Sequence, residues 1–199
     1  VILLRRGETF EPLAIGEGLL QGMLAGARAG QVDVAPLGPG GEPCLLIVKD
    51  NHARALRLGE NNQTLVEGQF NGRNSRSRLR AARLVRVEGP KAPPAVALLD
   101  LGAQCLSLFQ RDAKSGEFAL LRHVDIDDAD YQTLLAADLN EDGREDLLLL
   151  APDRLTVIFT GMADGRLETL GQARTDVEDG AYGRVAAVEL LKGQGQQML

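Results

Sequence analysis

The chain has 199 residues, a formal net charge of −6 and two cysteines. That length holds one large domain or two small ones. The acidic balance speaks against a nucleic-acid partner, and no apolar run is long enough to span a bilayer as a helix.

Residues 2–6 and 11–16 read as two short strands, the outer pair of a partial blade covering 1–30. Residues 17–30 contain four glycines, so they predict a loop or a short helix rather than a long one. Four strands follow at 32–37, 43–49, 52–58 and 63–69, within a unit covering 31–80. The next unit, 81–131, predicts strands at 82–88, 95–100, 103–110 and 117–124, with Lys114-Ser115-Gly116 as its last hairpin turn. A third unit, 132–183, predicts strands at 133–139, 146–151, 154–160 and 166–174. Residues 184–199 read as the inner strand pair of a further partial blade.

The units repeat. Apolar anchors at Leu37, Val87, Leu139 and Leu190 are spaced by 50, 52 and 51 residues. Each is flanked by an apolar strand, a polar or Gly/Pro turn and a second apolar strand. A period near fifty with four antiparallel strands predicts an all-β fold, part of a β-propeller with three full blades and two partial ones. Propellers close with four or more blades, so the chain is expected to be a piece of a longer protein. Cys44 and Cys105 lie in apolar runs without metal or redox spacing and are expected to be buried free thiols.

The chemistry concentrates at Asp138-Leu139-Asn140-Glu141-Asp142-Gly143-Arg144-Glu145-Asp146. Oxygen-bearing side chains stand at positions 1, 3, 5 and 9, with Gly at position 6. A hard cation such as Ca²⁺ takes roughly six to eight oxygens, and alternate side chains on a tight loop can converge on it. Five carboxylates within nine residues also repel one another unless a cation lies between them. An EF-hand would need flanking helices and a Glu at position 12, where Leu149 stands, and strand-like residues follow. The loop is therefore expected between two strands.

The segment from Leu135 to Leu148 resembles the FG-GAP/VCBS repeat of integrin-α-like propellers and many secreted bacterial proteins. The other units share its spacing and strand pattern only. The resemblance implies a structural Ca²⁺ held by the side chains of Asp138, Asn140, Asp142 and Asp146 and the backbone carbonyl of Arg144, with Glu141 and Glu145 solvated. It also implies a secreted protein, extracellular or periplasmic. The equivalent turns offer Pro36, Gly38, Gly40 and Cys44; Arg86, Glu88, Pro90 and Pro94; and Glu189, Leu191, Gly193 and Gln197. None can cage a hard cation, so a single Ca²⁺ is expected. Pro and Gly are expected to shape the first two turns through backbone restriction.

Nothing marks a catalytic centre. His52 and His123 read as surface residues, and no nucleophile or phosphate-binding motif accompanies them. The run Asp125-Ile126-Asp127-Asp128-Ala129-Asp130 reads as a solvated connection, rather than a second cation site or a pair of catalytic carboxylates. Interblade connections and second-to-third turns share the end opposite the metal loop. That end would present Arg73, Arg76, Arg78 and Arg80, then the Asp125–Asp130 run, then Asp176, Glu178 and Asp179, with Tyr131 and Tyr182 as contact aromatics. Adjacent basic and acidic sectors suit a protein or acidic-glycan ligand. The expected function is a non-catalytic binding scaffold. The alternative is part of a propeller-based polysaccharide lyase or hydrolase whose catalytic residues lie elsewhere.

Overall fold

The structure is a computed structural model that describes residues 3–6, 8–12, 18–28, 30–59, 63–160, 168–174, 187–188 and 197–198. Among the described residues it is all-β apart from one short helix. Strands β1 (Leu3–Arg6) and β2 (Thr9–Pro12) form an antiparallel pair, and helix α1 (Leu19–Leu24) follows. Three four-stranded antiparallel sheets come next, each in sequential order. The first holds β3 (Val32–Ala35), β4 (Cys44–Val48), β5 (His52–Leu58) and β6 (Thr64–Asn71). The second holds β7 (Leu79–Val85), β8 (Ala95–Asp100), β9 (Cys105–Arg111) and β10 (Phe118–Asp125). The third holds β11 (Thr133–Ala137), β12 (Asp146–Ala151), β13 (Arg154–Phe159) and β14 (Glu168–Arg174). A last pair, β15 (Ala187–Val188) and β16 (Gln197–Met198), is also antiparallel. These are the blades of part of a propeller.

Burial explains the strand composition. Every residue of β8 and of β12 is buried. A strand covered on both faces needs a continuous apolar run rather than alternation. Successive side chains then serve opposite neighbours. Val96 and Leu98 pack with Cys44, Leu46 and Val48 of the first sheet. Ala95, Ala97 and Leu99 pack with Leu134, Leu147 and Leu149 of the third. Truncating a side chain such as Leu98, fully buried between sheets, costs about 2–5 kcal/mol. Both cysteines are free and buried, and burial raises both thiol pKa values.

Helix α1 covers the other face of the first sheet. Its Leu20 and Met23 sit on one helical face and pack on Ile47 and Leu56. A six-residue helix without a side-chain cap has little stability of its own, so this packing holds it.

The ends of β3 and β7 fall short of expectation, each for an identifiable reason. β3 stops at Ala35 because Pro36 has no N–H for the ladder. β7 ends at Val85, not at 88, because the Arg86 N–H leaves the ladder for the Glu145 carboxylate, 2.7 Å away. At the other end of the sheets, turns and interblade connections are laced together. Leu101 N–H donates to the Arg78 carbonyl at 3.0 Å, and Leu79 N–H donates to the Asp50 carbonyl at 2.7 Å. A Cβ on Gly102 would collide with the Arg76 carbonyl, so this turn admits no side chain there.

Candidate metal centre

The loop between β11 and β12 owes its shape to its carboxylates. Gly143 takes φ 81°, the left-handed turn that Gly permits at position 6. Glu141 is also left-handed at φ 59°, which is uncommon for a residue with a side chain. Short-range hydrogen bonds hold these turns. Asp142 N–H donates to Asn140 Oδ1 at 3.2 Å, Arg144 N–H to Asp142 Oδ1 at 2.8 Å, and Gly143 N–H to Asp138 Oδ2 at 3.0 Å.

Asp146 is fully buried. Its Oδ2 accepts from Leu139 N–H at 3.0 Å and its Oδ1 from Thr160 N–H at 3.1 Å. The residue therefore ties both ends of the loop and the end of β13 together. Burial pushes its pKa up and the two N–H donors pull it down. The charges of Asp142 and Asp138 push it up again.

The other predicted positions lie around the same turn. Asp138 is half-buried, Asn140 and Asp142 are exposed, and Arg144 is half-buried. Among the described residues, no three His, Cys, Asp or Glu side chains are grouped closely enough to hold a metal by themselves. That holds for Asp138, Asp142 and Asp146; the Asn140 amide and the Arg144 carbonyl are the remaining predicted ligands. One atom favours a cation. Asp138 Oδ1 is buried without a hydrogen-bond partner, and an unpaired buried carboxylate oxygen is costly. The oxygen-rich donor set suits a hard ion. Asp146 also keeps lone pairs beyond the two that accept from the backbone.

Glu145 departs from expectation. It is not solvated: it accepts from Arg86 N–H at 2.7 Å and pairs with the Arg86 guanidinium at 3.3 Å. Its own N–H donates to the Arg86 carbonyl at 3.1 Å, and Thr160 Oγ1 donates to its carbonyl at 2.7 Å. The third sheet's loop thus holds the corresponding turn of the second. No sequence motif marks this contact, which spans 59 residues.

The opposite end is less free than its charges implied. Arg73 pairs with Asp125 at 2.6 Å, and Arg154 with Asp127 at 3.2 Å. The acidic run is thus partly neutralised. Tyr131 is not a contact aromatic. It is fully buried, its hydroxyl lies 2.8 Å from Thr156 Oγ1, and burial raises its pKa. Tyr182, Asp176, Glu178 and Asp179 lie outside the described residues. His123 is exposed, with Nδ1 2.9 Å from Ser107 Oγ. His52 is only half-buried, and its pKa is lowered chiefly by desolvation.

The fold and this loop define an all-β protein of the propeller type with a candidate cation-binding turn. No family model matches the chain, and no curated protein matches it. Among solved structures, one from Lactobacillus plantarum is similar at 20% identity and a TM-score of 0.47, over 72% of this chain and 40% of that one. This chain thus spans well under half of that protein, and a likeness of this size bears on neither family nor function.

Proposed function

We propose that the chain is part of a non-catalytic binding scaffold of the FG-GAP/VCBS type, secreted to an extracellular or periplasmic compartment. In this reading a single structural Ca²⁺ is held by Asp138, Asn140, Asp142, the Arg144 carbonyl and Asp146. A protein or glycan ligand is taken on the end opposite that loop. The observation that carries the metal reading is the buried, unpartnered Asp138 Oδ1 inside a turn whose carboxylates interact. When bound, the ion supplies the positive charge that offsets their repulsion. The chain's own residues shape the turn: Asp146 clasps Leu139 and Thr160, and Glu145 carries the constraint to Arg86.

Support for a non-catalytic role comes from access. Ser107 and His123 come within hydrogen-bonding distance, but Ser107 is 1% exposed, so no substrate can reach its oxygen. Among the described residues no helix is long and apolar enough to cross a membrane.

The test is thermal unfolding with EDTA, then with Ca²⁺ restored, with Mg²⁺ for comparison. Ca²⁺ is expected to raise the melting temperature of the wild type and leave Asp142→Ala unmoved. An identical response in both proteins would remove the loop from consideration.

A further inference from the structure

The end opposite the 138–146 loop carries an open pocket of about 740 Å³, within the range of small-ligand sites. The repeat explains its position. Arg28, Arg78 and Asp130 stand at the same place in three consecutive units. Their intervals of 50 and 52 residues match those between Leu37, Val87 and Leu139. Strand β7 lies between β3 and β11, so the approaches to these first strands converge. Each unit sends one of the three residues into the same pocket.

Some of the lining charges are already engaged. Lys49 Nζ donates to the Ala25 carbonyl at 2.6 Å. Arg80 donates to Gln132 Oε1, and Gln132 Nε2 donates in turn to Asp130 Oδ2 at 2.6 Å. Others are not. Among the described residues, no hydrogen bond or ion pair engages the exposed guanidinium groups of Arg28 and Arg78 or the exposed carboxylates of Asp50 and Asp128. All four line the pocket.

That set selects a ligand chemistry. A guanidinium fork matches a carboxylate in two parallel hydrogen bonds. Free carboxylates accept from hydroxyls. A molecule with both groups is a sugar acid. A protein partner would need large apolar anchors, and none of the exposed large hydrophobic side chains, Phe10 and Val34 among them, lines the pocket. We infer that the pocket binds an acidic saccharide, its carboxylate on Arg28 and Arg78 and its hydroxyls on Asp50 and Asp128. The inference rests on the binding-scaffold reading and names the class of ligand for its open end.

The experiment is titration calorimetry of the full chain with oligogalacturonate and with a neutral maltooligosaccharide. The uronate is expected to bind and the neutral sugar not to. Arg28→Ala and Arg78→Ala should each weaken uronate binding about tenfold or more, because each removes charge-assisted hydrogen bonds. Arg76→Ala, on the same connection but outside the pocket, should leave it unchanged. Both tested arginines are exposed, so melting temperatures should hold and separate lost binding from lost folding. Absence of uronate binding, or binding indifferent to both arginines, overturns the assignment. If the uronate is silent and an array peptide binds in an Arg78-dependent way, the saccharide class falls and the scaffold reading stands. If the oligomers are shortened and Arg78→Ala abolishes this, the ligand class stands and the non-catalytic reading falls.

Discussion

The turn at 138–146 and the turn after β7 occupy the same place in neighbouring sheets, yet they are closed by different means. The first is clasped from within by Asp146, whose two oxygens hold Leu139 and Thr160. The second contains Gly89 at φ 95° and three prolines, and takes its anchor from outside, through Glu145 on the Arg86 N–H. The first sheet's turn offers a third solution. There Glu42 Oε2 accepts from Gly40 N–H at 2.8 Å, and the Glu42 carbonyl accepts from Gly38 N–H at 3.0 Å. Both of these turns contain Gly and Pro, and a carboxylate fastens each of them. In each turn one acid, its own or a neighbour's, satisfies exposed backbone donors.

The sharpest way to break the comparison is Asp146→Ala. Two backbone N–H groups would lose their acceptor at about 1–3 kcal/mol each, so urea unfolding should register a loss of about 2–6 kcal/mol. A loss below about 1 kcal/mol would mean that water replaces the clasp. Next is the cation. At a hundredfold excess over its dissociation constant, Ca²⁺ should add about 2.7 kcal/mol to the wild type and nothing to Asp138→Ala. Third is the contact between the turns. Glu145→Ala should cost about 1–2 kcal/mol, since it strips a backbone donor and an ion pair. Hydrogen exchange should quicken at the Arg86 amide while the Gly40 amide is unchanged. Equal acceleration at both would show that the sheet loosens as a whole.

The smallest effect belongs to the first turn. Its own backbone N–H and then that of Gly40 hold the Glu42 carboxyl below its ordinary value of 4.5. A depressed carboxyl contributes stability above its unfolded pKa, and that contribution fades as pH falls through the folded one. Glu42→Gln should therefore remove that small contribution at neutral pH and flatten the acid limb of the stability profile below about pH 4.5, so that variant and wild type converge in acid. A profile parallel to the wild type would dismiss the staple.

Much of the fold was legible because its signals are local. The apolar runs Cys44–Val48, Ala95–Asp100 and Asp146–Ala151 became central strands at nearly the expected bounds. The turn at Gly143 is left-handed, as Gly at that position implied. The misreadings of side-chain roles concern contacts distant in sequence. Tyr131 read as an exposed aromatic because it ends a polar connection. It lies inside because its hydroxyl meets Thr156 on β13. Glu145 read as solvated because it stands between ligand positions, and its partner Arg86 lies one unit away.

Taken alone, the sequence determined where strands form, the period of the units and the loop whose oxygens alternate, since backbone preferences and side-chain periodicity are properties of neighbouring residues. Which charges meet was decided by the stacking of the sheets. Only when β3, β7 and β11 stand side by side do Arg28, Arg78 and Asp130 reach one pocket. Only then does Glu145 reach Arg86, because electrostatic and hydrogen-bond energies depend on distances in space that sequence separation does not set.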